Sequence, residues 1–303
     1  MGKSMKNEQL RNKLLSKLRV NLTFLPDKPE ESAESTLKAL WLTASGNPKS
    51  AEASLPIDTP DLNNREENIL LNLIEKRISG VPLAHLTERQ QFMGIELLAG
   101  PEALIPRKET ELLGYAALGL LKKMNTPDKP LTLIDICTGA GNLAVALNLL
   151  HPNTKTFAAD LSEDAVTLAK KNVHFYSLEA KITIEMGDLL EPFNSDAFHN
   201  QIDLLLCNPP YISSAKVKKM AEEISAYEPS LAFDGGTFGI RILKRLINQA
   251  PLFLKPNGWL AFEVGLGQGP SIVKLLEKNK EFNSVKEVKD KFGNIRALCA
   301  KKV

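Results

Sequence analysis

The sequence predicts a small helical N-terminal domain followed by an α/β domain built on a doubly wound, mostly parallel sheet. Three observations carry this. Apolar residues before Gly80 recur at helical spacing, and beyond Pro130 short apolar runs alternate with amphipathic segments. The first of those runs ends in a glycine-bearing turn, the usual strand-to-helix junction of such sheets.

In the N-terminal part the helical stripes are Leu10, Leu14, Leu15 and Leu18, then Leu37, Leu40 and Trp41, then Ile69, Leu70, Leu73, Ile74 and Ile78. Pro26, Pro29, Pro48, Pro56 and Pro60 separate them as turns. All of these apolar positions are expected in a core. This domain is assigned to residues 1–80. Gln91 to Leu98 turns strand-like, with Gly94 at a bend and Gly100-Pro101 as the stop, so residues 81–105 are read as a connecting β-hairpin and 106–303 as the second domain.

In the second domain the expected strands are Leu131–Cys137, Lys155–Asp160, Ile182–Met186, Ile202–Cys207 and Trp259–Val264, closed by Val285–Val288 and Ile295–Ala300. Helices are expected over Asn142–Leu150, from Ser162, a capping residue, to Tyr176, over Ile240–Leu254 and over 271–279.

Composition narrows the function. Lys and Arg total 38 against 36 Asp and Glu, a net charge of +2, which gives no broad basic field for a nucleic-acid backbone. Three cysteines, Cys137, Cys207 and Cys299, are far apart and show no metal-ligand spacing, so no metal site is expected and a reducing cytoplasm fits. Cys137 and Cys207 are expected as buried core thiols. The polar first residues are read as holding no signal peptide, and no apolar run is long enough to suggest a membrane span.

The turn Thr138-Gly139-Ala140-Gly141-Asn142 lies where the first strand of the sheet meets its helix, and its glycines let a ligand touch the backbone. Asp160 ends the next strand about twenty residues on, placed to accept hydrogen bonds from ribose hydroxyls. Asp188, after the third, is placed to take the amino group of an adenine. The turn alone is ambiguous, because Gly139-Ala140-Gly141-Asn142-Leu143-Ala144 also satisfies a dinucleotide fingerprint.

Asn208-Pro209-Pro210-Tyr211 adds the chemistry. It follows the apolar strand Ile202–Cys207, at the same sheet edge as the glycine turn. Consecutive prolines hold φ at about −65° and keep Asn208 out of the helical region. A planar amide or aminopurine nitrogen is a poor nucleophile, since its lone pair is delocalised. A rigid pair of acceptors, the Asn208 side-chain oxygen and the Pro209 carbonyl, can grip both N–H groups and stabilise developing positive charge, while Tyr211 packs on the flat group. That points to methyl transfer from S-adenosylmethionine onto a planar nitrogen, in a protein amide or in an exocyclic amine of nucleic acid. A dehydrogenase would leave the proline loop without a purpose, and a binding module without catalysis would not need Asn208.

With these motifs the sequence resembles the HemK/PrmC family of release factor glutamine methyltransferases. The similarity runs from about Arg77 to the C-terminus. It includes Gly80-Val81-Pro82-Leu83, Ile105-Pro106-Arg107-Lys108-Glu109-Thr110-Glu111, Tyr227-Glu228-Pro229, Gly235-Gly236, Glu263-Val264-Gly265 and Asp290 to Arg296. The Ile-Pro-Arg stretch is the most discriminating of these. By itself it reads as a proline-started helix with acidic residues in its first turn. The resemblance implies a Rossmann-like, seven-stranded class I methyltransferase domain. Thr138, Gly139, Ala140, Gly141, Asn142, Asp160, Asp188, Leu189 and Asn208 would line the S-adenosyl-L-methionine site. Asn208, Pro209, Pro210 and Tyr211 would hold the glutamine of a peptide chain release factor, the implied partner. His85, Thr87 to Gln90 and Leu189 depart from the family pattern. The run Lys216-Val217-Lys218-Lys219 reads as a solvated helix face, and oligomeric state has no signal.

Overall fold

A computed structural model describes residues 2–124, 129–211, 227–229, 233 and 240–303. Gly235-Gly236 and the Lys216–Lys219 run lie outside the described residues. The chain divides into two compact units: Met1–Pro101 with Ile105–Lys108 and Ala221–Glu228, and Glu102–Leu104 with Glu109–Met220 and Pro229–Val303. In this division Ile105–Lys108 group with the first unit.

In the first unit, helices α1 (Gly2–Asn21), α2 (Ala33–Ala44), α3 (Ala51–Ser54), α4 (Asn64–Ile78) and α5 (Leu83–Thr87) precede a two-stranded hairpin, β1 (Arg89–Phe92) and β2 (Ile95–Leu98). Ser32 caps α2, and Asn63 caps α4 by accepting from the Arg65 and Glu66 N–H groups, so orphan donors at both helix starts are satisfied. Leu14, Leu18, Leu37, Leu40, Trp41, Leu70, Ile74 and Leu83 form the core of the unit. Ile69 departs from expectation: it is 40% exposed, because the buried stripe of α4 runs through Leu70, Ile74 and Arg77. Arg77 is admitted there because Glu31 pairs with its guanidinium at 2.9 Å, both side chains buried. The hairpin turns at Met93 and Gly94, both with positive φ (51° and 79°), a pairing whose twist matches the strands.

Residues from two quoted motifs meet in this unit. The Glu228 carboxylate, fully buried, accepts from the Ile105 N–H (3.0 Å) and from Arg107, whose Nε also reaches Asp27 Oδ2 at 3.2 Å.

The second unit is a seven-stranded sheet in the order β5-β4-β3-β6-β7-β9-β8. The strands are β3 (Leu131–Ile136), β4 (Thr154–Asp160), β5 (Ile182–Met186), β6 (Ile202–Cys207), β7 (Leu254–Glu263), β8 (Phe282–Lys289) and β9 (Ile295–Lys302). All neighbours run parallel up to β7, and β9 is antiparallel to both β7 and β8. Among the described residues its α-helices are α6 (Thr110–Met124), α7 (Asn142–Leu150), α8 (Glu163–Phe175), α9 (Arg241–Phe253) and α10 (Gly269–Glu277). The central strands are apolar on both faces, as parallel strands between helix layers must be, and Leu133, Ile134, Ile136, Leu204, Leu205, Leu206 and Cys207 are all fully buried. β7 starts earlier than the sequence suggests. Leu254 pairs with Ile202, and the register then shifts before Trp259 pairs with Leu204. Pro256 and Gly258 hide that strand from a reading based on propensity.

Candidate active site

Sheet register assembles the site. Ile136 pairs with Ala159 on one side and Cys207 on the other, so the segments following β3 and β6 leave one sheet edge side by side. Strand β4 flanks β3, while β6 lies on its opposite side, so the order reverses at β3 and opens the crevice where such sheets bind ligands.

The turn after β3 needs unusual backbone. Cys137, Gly139 and Gly141 all have positive φ (56°, 54° and 77°). The Thr138 N–H donates to the Ala159 carbonyl (3.1 Å) and the Gly141 N–H to the Thr138 carbonyl (2.8 Å). The Thr138 hydroxyl donates to Asp135 Oδ2 (2.6 Å), the Gly139 N–H to Asp160 Oδ2 (2.9 Å), and Asn172 from α8 to the Ala140 carbonyl (2.9 Å). The two glycines serve different ends. A Cβ on Gly141 would lie 3.2 Å from Ala169 Cβ, so this glycine lets α7 and α8 pack. A Cβ on Gly139 would meet nothing within 4 Å, so there the backbone faces open space. Asn142 begins α7, half-buried.

Asp160 sits at the end of β4, where its two oxygens accept from the Gly139 and Ser162 N–H groups (2.9 and 3.0 Å). Burial pushes its carboxyl above the ordinary range, against those hydrogen bonds. Asp135 is more extreme: burial pushes it up to about 7, and its Oδ1 is buried with no hydrogen-bond partner. Asp188 follows β5 and pairs through Oδ2 with Arg245 at 2.8 Å, an ion pair invisible in the sequence. Leu189, expected at the cofactor, is only 6% exposed and packs in the sheet core with Leu190 and Phe193.

Beyond β6, the Asn208 Nδ2 donates to the Thr110 hydroxyl oxygen at 3.1 Å, which turns Oδ1 away from Thr110. Pro209 is buried, and Pro210 and Tyr211 are half-buried. The Tyr211 hydroxyl donates to Glu263 Oε1 (2.9 Å), and Gln268 Nε2 donates to the Tyr211 carbonyl (3.0 Å). The two thiols differ. Cys207 is buried as expected and its thiol is pushed up by burial, whereas Cys137 is only half-buried, because the positive-φ turn carries it off the strand. Of these supports, Asn172 had a sequence signal, a lone amide on the otherwise apolar face of Ala165, Ala169 and Val173. Gln268 and Arg245 had none.

These residues fit S-adenosylmethionine better than a dinucleotide. An open glycine turn at a helix start suits either ligand. Asp160 at the strand end can accept from ribose hydroxyls in either case, whereas the Asn-Pro-Pro loop that leaves the sheet beside this turn has a use only next to a methyl donor. Sheet order, turn and acidic strand end together define a class I S-adenosylmethionine-dependent methyltransferase.

Residues 113–240 match the family described as "Methyltransferase small domain". The release factor glutamine methyltransferase of Enterococcus faecalis is 35% identical over 240 residues, covering 79% of this chain and 83% of that protein. The protein of the same description from Moorella thermoacetica is 34% identical, covering 75% and 77%. The chain belongs to the release factor glutamine methyltransferase family. Among solved structures, the hMettl16 catalytic domain in complex with a MAT2A 3′UTR hairpin superposes with a TM-score of 0.54 at 17% identity, covering 76% of this chain and 81% of that one. That likeness is one of fold. Among the described residues no helix is long and apolar enough to cross a membrane.

Proposed function

We propose that this enzyme methylates the side-chain amide nitrogen of the glutamine in a Gly-Gly-Gln segment of a peptide chain release factor. The observation that carries the reading is the orientation of Asn208, whose Nδ2 is committed to Thr110 so that Oδ1 serves as an acceptor. S-adenosylmethionine supplies an electrophilic methyl group. Asn208 Oδ1 and the Pro209 carbonyl accept the two N–H groups of the target amide and stabilise positive charge as it grows on nitrogen. Both hydrogens are held until the methyl is on, and the proton leaves afterwards, so no strong base is needed beforehand. Pro209 and Pro210 keep the acceptors in place. Tyr211, with its hydroxyl occupied by Glu263, offers its ring as a wall for the amide. Flanking glycines let an extended peptide bring its glutamine amide up to these acceptors. The net charge of +2 favours a protein target over a nucleic acid, and three scattered cysteines fit a reducing cytoplasm.

The cofactor would be held by Thr138 to Asn142, Asp160, Asp188 and Asn208. Asp160→Ala should weaken S-adenosylhomocysteine by about 1.5–3 kcal/mol, the range for hydrogen bonds to a charged group. Part of that loss would be indirect, because Asp160 also holds the Gly139 N–H. Calorimetry showing unchanged affinity would remove Asp160 from the site. For the substrate, the test is to incubate enzyme, S-adenosylmethionine and a release factor from the same organism. The Gly-Gly-Gln peptide should gain the mass of one methyl group, located on glutamine by tandem mass spectrometry. Methylation found only elsewhere would reject this target.

A further inference from the structure

Thr110 and Glu263 belong to two sequence motifs, and they stand directly behind the reacting loop as the partners of Asn208 and Tyr211. Thr110 opens α6 and accepts from Asn208 Nδ2 (3.1 Å). Glu263 ends β7, is 1% exposed, and accepts from the Tyr211 hydroxyl through Oε1 (2.9 Å). The Thr110 hydroxyl also lies beside this carboxylate and favours its charged form, although Oε2 makes no hydrogen bond of ordinary geometry.

A terminal amide is nearly symmetric in shape, so packing alone does not decide which end of Asn208 faces the substrate. Hydrogen-bond polarity can. A threonine hydroxyl has one proton. If that proton goes to an ionised carboxylate, only the oxygen lone pairs remain for Asn208, and they can meet Nδ2 but not Oδ1.

We propose that Glu263 and Thr110 form a polarity relay that fixes the Asn208 amide with its oxygen toward the substrate, making both of them positioning residues for methyl transfer. The proposal rests on the reading that Asn208 Oδ1 grips the target amide. It assigns a purpose to a carboxylate buried at a cost, since burial raises the Glu263 carboxyl to about 7. The charged and titratable groups acting on Glu263 are Tyr211 and Glu109, and Arg296, which pairs with Glu109 at 3.3 Å. Protonated Glu263 would donate to Thr110 and free the threonine proton for Asn208, turning the amide round.

The experiment compares wild type with Thr110→Val, Thr110→Ser, Glu263→Gln and Asn208→Ala, using a release factor as substrate. Valine keeps the shape of threonine but loses the hydroxyl. Thr110→Val should lower kcat by about 10-fold to 100-fold, somewhat less than losing a direct contact to the reacting group. Its affinity for S-adenosylhomocysteine should stay within about 3-fold, and Thr110→Ser should restore most of kcat. The wild-type kcat should fall as pH drops through about 7, and Glu263→Gln should lose that acid limb. Wild-type kcat in Thr110→Val, a parallel loss of cofactor affinity, no rescue by serine, or a wild-type profile flat through pH 7 would each overturn the relay. If Thr110→Val is fully active while Asn208→Ala is not, the relay fails and the role of Asn208 stands. If Asn208→Ala is itself active, the underlying reading fails.

Discussion

Asn208→Ala should reduce methylation of a release factor by at least ~100-fold, the scale on which removing one preorganised polar contact to a reacting group acts. The loss should fall on kcat. Alanine removes the Oδ1 acceptor and leaves Pro209 and Pro210 to shape the loop. The turn from Thr138 to Asn142 rests on Asp135, Asp160 and Asn172, none of which depends on Asn208. Affinity for S-adenosylhomocysteine, measured by calorimetry, should therefore change far less than single-turnover rate. Turnover within a few-fold of wild type would show that the loop does not grip the amide through this side chain.

Arg107→Ala should destabilise the protein by about 3–5 kcal/mol, the cost of stripping one partner from a buried ion pair. Glu228 is fully buried and would keep only the Ile105 N–H among the contacts described above. Arg107→Lys should rescue little, because a single ammonium cannot reproduce a guanidinium that serves Glu228, the Ile105 carbonyl and Asp27 in different directions. Urea unfolding is the measurement, with Arg107→Ala/Glu228→Gln expected to recover part of the loss by neutralising the stranded charge. A change under about 1 kcal/mol for Arg107→Ala would mean that water or other groups satisfy Glu228.

Much of the fold was legible because particular residues left little choice. Ile182–Met186 and Ile202–Cys207 match β5 and β6, and Asn142–Leu150 matches α7, since apolar runs of that length between turn residues have few other uses. Ile69 misled because apolar residues stand at both 69 and 70, and the spacing of three and four admits either as the buried stripe. The partners of the site were harder to see. Thr110 reaches Asn208 across 98 residues of sequence, and Arg245 reaches Asp188 across 57. Pairings at that distance are made by tertiary packing, which local periodicity does not encode. The quoted motifs marked Thr110 and Glu263 as part of a pattern without indicating what either touches.

The pairing of β3 with β6 sets limits on length changes in this chain. The glycine turn and the amide-gripping loop emerge from neighbouring strands whose offset is locked by four registered pairs, Leu133 with Leu204 through Ile136 with Cys207. Inserting or deleting one residue within β6 would send Asn208 to the opposite face of the sheet and bury a polar amide among leucines. Extra residues in the exposed connection around Asp196 and Asn200 would leave that offset untouched. Natural insertions should therefore collect in the connections that approach these strands from their amino ends, while the strands and the first few residues beyond them keep a constant length.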